Sequence, residues 1–215
     1  MAALRLSYQT IEFGEIDIHV RSLRDNQQFL DTEGVAEALG ISSASWPLFG
    51  IVWESGQVLA HLMLDYEIEG KRILEVGCGI GLTSLLLNHR HANITSTDYH
   101  PEAGNFLKEN VRLNQGEVIP FIRTGWADAD SGLGLFDVIV GSDILYEQEH
   151  VSLLSAFIDQ HAKPHCEVIL VDPGRGHHAR FSKQMIALGY THSQKKPVTN
   201  YLAKPFPGQV LHYLR

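Results

Sequence analysis

The sequence lacks the features that would require an oxidising compartment or a membrane. Only two of its 215 residues are cysteines, Cys78 and Cys166. Both lie in or beside apolar, strand-like runs, which favours buried reduced thiols over a disulfide framework. No apolar run approaches the roughly 18 residues of a membrane-spanning helix, and the first nine residues lack the basic and then apolar layout of a signal peptide. We therefore expect a cytoplasmic protein.

Positive charge is also scarce. The 17 lysines and arginines face 25 aspartates and glutamates, a net charge of −8, and the only adjacent lysines are Lys195 and Lys196. Because proteins that bind nucleic acids or anionic membranes need clustered positive charge, neither is expected as a partner. The 12 histidines are scattered without the spacing of a zinc site, so no metal is expected.

The remaining composition is that of a globular protein, with 44% hydrophobic and 20% charged residues. From residue 71 onwards, strand-like and helix-like segments alternate, which predicts a mainly parallel sheet with helices on both faces. Two strand-like runs within residues 190–214 have only a short loop between them and should pair antiparallel. The predicted fold class is α/β, a doubly wound Rossmann-like sheet. Its ligand should bind at the carboxyl ends of the first strands, at the point where the strand order reverses.

Residues 1–66 have a different pattern and are predicted to form an N-terminal extension, followed by the main domain at 67–215. Runs at 7–13 and 16–21 around Gly14 predict a hairpin. A short helix is expected over 31–39, with Asp31 as its N-cap and Gly40 as its stop. An apolar, aromatic loop at 46–53 and a helix at 55–64 follow. The extension is expected to cover the ligand site.

The strongest signal is a glycine-rich turn directly after a strand-like run. Gly77, Gly79 and Gly81 alternate with other residues and lead straight into a predicted helix. Glycine suits a sharp backbone turn that a ligand approaches closely. In the dinucleotide fingerprint the third glycine comes one residue later, and a pyrophosphate would favour a helix N-terminus without the carboxylate of Glu75 nearby. A ligand with an ammonium and a sulfonium group would tolerate Glu75, so a nicotinamide-dependent oxidoreductase is disfavoured.

A second acidic residue strengthens this interpretation. The next predicted strand ends at Asp98, twenty-one residues after Gly77. A carboxylate there can accept hydrogen bonds from both ribose hydroxyls of an adenosine.

Glu75, the three glycines and Asp98 together resemble the motifs of class I S-adenosylmethionine-dependent methyltransferases. The resemblance implies a seven-strand sheet with an antiparallel last strand, and S-adenosyl-L-methionine as the cofactor. This resemblance, together with a narrower one described in the next paragraph, implies ten cofactor-binding residues. They are Trp53, Glu75, Gly77, Cys78, Gly79, Gly81, Asp98, Tyr99, Trp126 and Ser142.

Three further stretches give the narrower resemblance. Trp53-Glu54-Ser55-Gly56, Gly125-Trp126 and Gly141-Ser142-Asp143-Ile144-Leu145-Tyr146 resemble the methyltransferase-16 family, a protein-lysine methyltransferase-like group. In that family the two tryptophans and the small residue before the aspartate line the cofactor. The acceptor-site motif matches Asp143 and Tyr146, which are therefore the predicted catalytic residues.

The resemblance implies an N-methyltransferase that acts on a lysine side chain of a protein, in which Asp143 binds and orients the incoming amine. N-methylation of a small-molecule amine or N-heterocycle on the same fold is the alternative, and a non-catalytic cofactor-binding protein is less favoured. The protein is expected to act as a monomer.

Four further residues have open roles. Asp128 could contact adenine or close an acidic turn. Arg175 could bind a substrate carboxylate or acidic protein surface, or belong to a structural Pro-Gly turn. Phe181 and Tyr201 could line an acceptor channel or pack in the core.

Overall fold

The structure, a computed structural model, describes residues 5–24, 31, 34–128, 132–197 and 201–215. None of the helices in these ranges is both long and apolar enough to cross a membrane. The elements follow one another along the chain as β1 (Leu6–Phe13), β2 (Ile16–Leu23), α1 (Val35–Ala38), a 3-10 turn (Leu48–Gly50), α2 (Glu54–Leu64), β3 (Arg72–Val76), α3 (Leu82–His89), β4 (Asn93–Asp98), α4 (Ala103–Leu113), β5 (Phe121–Arg123), β6 (Phe136–Ser142), α5 (His150–His161), β7 (Ala162–Asp172), α6 (His178–Ala187), β8 (Thr191–Lys195) and β9 (Gln209–Leu214).

Seven of these strands form one sheet in the order β5-β4-β3-β6-β7-β9-β8. The first five strands in this order are parallel to one another. β9 runs antiparallel to both of its neighbours, β7 and β8. The strand order reverses between β3 and β6, so a crevice opens at their carboxyl ends. The predicted doubly wound sheet with its antiparallel last strand is confirmed.

Both faces of this sheet are buried under helices. Along β3, Ile73 belongs to one apolar cluster and Leu74 and Val76 to the other, because successive side chains of a strand point to opposite faces. The first cluster includes residues of α2, α3 and α4 together with Phe13 and Ile18 of the hairpin. The second includes residues of α5 and α6. The predicted two-faced burial is therefore confirmed, and the hairpin packs on the face that carries α4.

Several element boundaries differ from the sequence prediction. The third strand of the main domain was expected over 118–123 but begins at Phe121, and Val118 is 88% exposed. Pro120 has no N–H and joins the ladder only through its carbonyl, which accepts from Ser96. β7 begins at Ala162, directly after α5 and earlier than expected. Ala162 is buried, but the three residues after it are polar or exposed, so they do not form the apolar run on which the prediction relied.

Helix α1 is shorter than the predicted helix at 31–39. It begins at Val35 after a left-handed Gly34, and residues 32–33 lie outside the described part of the chain. The Asp31 carboxylate accepts from the backbone N–H groups of Val35 at 3.0 Å and Glu37 at 2.8 Å. Asp31 thus accepts from the first turn of the helix, but it lies three residues before Gly34, which occupies the N-cap position. Gly40 ends the helix in a left-handed conformation, as expected.

Two asparagines of α4 and its C-cap fix the hairpin to the main domain. The Asn110 amide accepts from the N–H of Arg21 at 2.7 Å and donates to the Arg21 carbonyl at 3.2 Å. The Asn114 amide pairs with the backbone of His19 in the same way, at 2.8 and 2.6 Å. Asn110 also donates to the carbonyl of Ile80 at 3.0 Å, in the glycine-rich turn. One buried amide therefore joins the hairpin, α4 and that turn.

We expect the substitution Asn110→Ala to lower the free energy of unfolding by about 3 kcal/mol, because it leaves buried backbone groups without partners. Chemical denaturation measures the loss. Asn105→Ala is the matched control, since Asn105 is exposed on the same helix and its side chain donates to that of Glu102 one turn earlier. Equal effects of the two substitutions would contradict the role given to Asn110.

Candidate active site

A cavity of about 400 Å³ opens at the carboxyl ends of β3, β4 and β6. Its size is within the range of sites for small ligands, roughly 300 to 1,000 Å³. One wall comes from the segment before α2 and includes Ile41, Ser45, Leu48, Phe49 and Trp53. The structure brings every predicted site residue to this cavity except Gly81, which begins α3 and packs towards Leu107.

The glycine-rich turn forms the floor of the cavity. Gly77 and Gly79 have φ angles of 62° and 55°, a left-handed conformation that side chains other than glycine rarely adopt. A Cβ at Gly77 would lie 2.7 Å from the Ile144 side chain, and one at Gly79 would lie 2.8 Å from the Phe49 carbonyl oxygen. Both the conformation and the space therefore require glycine, and the backbone itself faces the cavity.

Asp98 closes the end of β4 next to this turn. One carboxylate oxygen accepts from the N–H of Gly79 and the other from the N–H of His100, both at 2.8 Å. Burial raises the pKa of Asp98, while these backbone hydrogen bonds oppose the rise. An ionised carboxylate has about four acceptor positions. The carboxylate can therefore accept further hydrogen bonds, as binding to neighbouring hydroxyls requires.

Glu75 lies at the base of the cavity and is only 4% exposed. One of its oxygens accepts from the Ser84 N–H at 2.9 Å and from the Ser84 hydroxyl, which in turn contacts the Ser96 hydroxyl. Burial raises the pKa of Glu75 to about 7, against the lowering effect of the Ser84 hydrogen bonds. Ser84 is in the first turn of α3, where the helix dipole favours a negative charge.

Aromatic side chains line the cavity walls and are held in place by hydrogen bonds or stacking. The Trp53 indole N–H donates to the Leu48 carbonyl at 2.9 Å, and the Tyr99 hydroxyl donates to the Leu39 carbonyl at 2.7 Å. Trp126 meets the ring of His150 edge-on, with 5.0 Å between centroids. These contacts fix the positions of Trp53, Tyr99 and Trp126 in the cavity wall.

A stacked pair at the cavity was not predicted from the sequence. Phe49 lies parallel to His100, with 3.9 Å between ring centroids. Burial lowers the pKa of His100 to about 4, so its imidazole is neutral at physiological pH. The aromatic character of the loop before α2 was visible in the sequence, but its contact with the residue after β4 was not.

Asp143 has an unusual backbone conformation at the end of β6. Its φ of 52° is left-handed, which is uncommon outside glycine, and its N–H donates to the Val171 carbonyl at 2.9 Å. Its two carboxylate oxygens each accept one hydrogen bond from the Arg175 guanidinium, both at 2.8 Å. For Arg175 the sequence left open contact with a substrate carboxylate or acidic protein surface, or a structural Pro-Gly turn. Its side chain pairs with a carboxylate of its own chain.

Tyr146 lies beside this ion pair at the cavity mouth. Its ring meets His150 edge-on at 4.5 Å. Desolvation and the nearby carboxylates of Asp98, Glu147 and Asp143 raise the pKa of Tyr146 to about 12. The hydroxyl therefore stays protonated at physiological pH and can act as a hydrogen-bond donor.

Three residues with open roles do not line the cavity. Asp128 closes its own turn, because its carboxylate accepts from the Gly125 N–H at 2.7 Å and from the Thr124 hydroxyl at 3.1 Å. Phe181 is fully buried in the apolar cluster that includes α5 and α6. Tyr201 stacks on His61, at 4.5 Å between centroids. Of the two interpretations for each residue, the structure supports the structural one.

Known proteins resemble this chain in sequence and in fold. The family model described as lysine methyltransferase matches residues 43–185. The electron transfer flavoprotein beta subunit lysine methyltransferase of Xenopus laevis is 28% identical over 144 residues, covering 65% of this chain and 56% of the relative. Protein N-lysine methyltransferase METTL21A of Danio rerio is 33% identical over 118 residues, covering 50% of this chain and 54% of the relative. The chain thus spans about half the length of these curated relatives.

The fold also matches solved structures. The crystal structure of magnesium protoporphyrin IX methyltransferase from Synechocystis PCC 6803, with bound SAM, superimposes with a TM-score of 0.57. The identity is 20%, and the match covers 74% of this chain and 76% of that one. At this identity the likeness shows a shared fold.

Because the pKa of Glu75 is raised, we predict that the contribution of Glu75 to the free energy of unfolding depends on pH. Between the ordinary value of 4.5 and about 7, the folded protein keeps a proton that the unfolded chain releases. The free energy of unfolding contributed by Glu75 therefore falls as the pH rises through this window. Glu75→Gln removes this loss, so between about pH 4 and pH 8 the stability of the variant relative to wild type should increase by about 3 kcal/mol.

Urea denaturation at several pH values measures this difference. Glu69→Gln, the same chemical change at an exposed position, is the matched control. A pH-independent difference for Glu75→Gln would show that Glu75 ionises normally in the folded protein.

Proposed function

Since the chain belongs to the lysine methyltransferase family, we propose that it transfers a methyl group from S-adenosyl-L-methionine to a lysine side chain of a protein. One observation carries the proposal. A single cavity brings the glycine-rich turn and Asp98 together with Asp143 and Tyr146. A nucleoside site and an amine site in one cavity are what a methyl transfer between two molecules requires, because rate depends on aligning donor and acceptor.

The residues at the carboxyl ends of β3 and β4 fit the proposed cofactor. Asp98 keeps acceptor positions for both ribose hydroxyls, and the backbone of Gly77 and Gly79 allows close approach without a Cβ. Trp53 and Trp126 offer aromatic faces that favour a cationic sulfonium. We propose the same cofactor-binding role for the other predicted residues that line the cavity: Glu75, Cys78, Tyr99 and Ser142. S-adenosylmethionine supplies an electrophilic methyl group on sulfur.

For the acceptor, the chain needs to orient an amine and exclude water. Asp143 can accept a hydrogen bond from an amine N–H, and the protonated Tyr146 hydroxyl can contact the same region. The aromatic walls keep water from the reacting atoms, which strengthens the polar contacts inside. No nucleophile from the chain is required, because the acceptor nitrogen provides the electron pair.

The protein nature of the acceptor is supported by the relatives, whose names specify protein substrates. The cavity mouth also carries Tyr146 and Arg175, both exposed, so a side chain of a large partner can reach it. N-methylation of a small amine or N-heterocycle uses the same cavity and is the alternative.

We further propose that residues 1–66 cover the cofactor site on the methyltransferase domain, 67–215. Cytoplasmic location and a monomeric state remain predictions.

Labelled methyl transfer tests this function. Wild-type protein, S-adenosylmethionine labelled in the methyl group and an extract of the source cell should give label in a discrete protein band. Hydrolysis of that band should yield methylated lysine. Label found only in the small-molecule fraction would favour the alternative substrate class, and no label in either fraction would contradict methyl transfer.

Asp143→Ala should reduce turnover at least about 100-fold, because the amine loses the group that orients it. Its affinity for S-adenosylmethionine should stay close to that of wild type. Asp65→Ala, at an exposed position after α2, serves as the matched control and should retain full turnover. Unchanged turnover in Asp143→Ala would remove Asp143 from the acceptor site.

Asp98→Asn should weaken the binding of S-adenosylmethionine at least about tenfold, because an amide cannot accept from both ribose hydroxyls as a carboxylate does. Isothermal titration calorimetry measures the affinity. Asp65→Asn carries the same chemical change outside the cavity and should bind as wild type does. Equal affinities for the two variants would contradict the ribose contact.

A further inference from the structure

The ion pair between Asp143 and Arg175 lies where the proposed acceptor amine would bind. Both residues line the cavity. Arg175 follows β7 and Asp143 follows β6, and these two parallel strands are neighbours in the sheet. The Asp143 N–H also bonds to the Val171 carbonyl of β7. The pair therefore joins two strand ends at the cavity mouth.

The contact is a two-point one. The Arg175 Nε bonds to Oδ1 of Asp143 and its Nη2 bonds to Oδ2, each at 2.8 Å. The side chain of Asp143 is 9% exposed, whereas that of Arg175 is 44% exposed. The hydrogen bonds that Arg175 donates to Asp143 raise the pKa of Arg175, which keeps the guanidinium charged. The negative charge of Asp143 is therefore balanced within the chain, and the carboxylate still has acceptor positions.

This balance matters for the chemistry of a lysine acceptor. An ammonium has no lone pair, so the amine must be neutral when its nitrogen forms the new bond to the methyl carbon. The carbon–sulfur electron pair then stays on sulfur, and the positive charge passes to nitrogen. A free lysine has a pKa near 10.4, and an isolated carboxylate beside it would raise that pKa further. A carboxylate already paired with a cation does not stabilise the ammonium in this way.

We propose that Arg175 is a positioning residue that neutralises Asp143, so that the acceptor lysine binds as its neutral amine with its proton released to solvent. This inference rests on the proposed function. Asp143 then accepts a hydrogen bond from the amine N–H and directs the lone pair, while Arg175 removes the preference for the ammonium form.

Other titratable groups face the same region and must be separated from the effect of Arg175. They are Tyr146, Asp98, Glu147 and His150 around the mouth, and Asp172 and His178 behind the loop. All of them remain in every variant described below. A difference between pH profiles of the variants therefore reports the changed residue.

The kinetic test compares Arg175→Gln with wild type, using the acceptor protein that the wild-type enzyme labels. The acidic limb of the kcat profile should move up by about one pH unit in the variant, because Asp143 alone favours the ammonium. At neutral pH kcat should then fall about tenfold. KM should fall as well, since the abundant ammonium form binds the unpaired carboxylate. A lower kcat with an unmoved pH profile would mean that Arg175 only maintains structure.

Three matched variants sharpen this test. Arg175→Lys keeps the charge and should largely restore the wild-type pH profile, despite losing the two-point contact. Asp143→Asn leaves Arg175 unpaired and should change KM in the opposite direction, because an uncompensated cation repels the ammonium. Arg180→Gln changes an exposed arginine of α6 and should match wild type. Arg175→Lys behaving like Arg175→Gln, or a lower KM in Asp143→Asn, would contradict charge balance.

A binding measurement separates this inference from the proposed function. The probe is Nα-acetyl-lysine amide, added at about pH 8 to enzyme loaded with S-adenosylhomocysteine. Calorimetry in buffers of different ionisation enthalpy counts protons released, and wild type should release close to one, because the free amine is protonated at this pH. Arg175→Gln, in which the pKa of the bound amine is about one unit higher, should release only about half a proton. No binding, or binding without proton release by wild type, would overturn the inference. Failure of methyl transfer itself would appear as an unlabelled wild-type reaction.

Discussion

The turn between β3 and α3 exists only because Gly77 and Gly79 have no side chains. Their left-handed backbone brings the chain so close to Phe49 and Ile144 that a Cβ would overlap with either. This contact sets the distance between the end of β3, the segment before α2 and the residues after β6. The cavity is the space that remains between these three parts of the chain, so its shape follows from the turn.

Three carboxylates lie around this cavity, and each is stabilised by a different partner. Glu75 is bonded to Ser84 at the start of α3, Asp98 to two backbone N–H groups, and Asp143 to Arg175. A buried carboxylate without such a partner would be costly. Within the described part of the chain, Asp143 is the one of these three whose partner is a charged side chain. The ends of the cavity proposed for the nucleoside and for the amine therefore differ in charge environment.

Features that depend on neighbouring residues along the chain could be predicted from the sequence. The apolar runs gave the strands of the parallel sheet, and the spacing of the glycines with Asp98 located the cavity. The start of β5 at Phe121 was missed because the run at 118–123 is apolar, whereas Pro120 cannot donate to a ladder. The Asp143–Arg175 and Phe49–His100 contacts were also missed. Each contact joins residues far apart in sequence, and the local sequence around each residue does not indicate which residue it will contact. The roles of the site residues in binding and catalysis remain predictions.

The side-chain amides of Asn110 and Asn114 bond to the backbone N–H and C=O groups on the outer edge of β2, in place of a further strand. An open edge is the usual starting point for pairing between molecules, so on this side the hairpin is protected from aggregation by two side chains. The same Asn110 amide holds the Ile80 carbonyl in the glycine-rich turn. A force that displaced the hairpin, such as the pull of a docked partner, would therefore be transmitted through one side chain to the floor of the cavity.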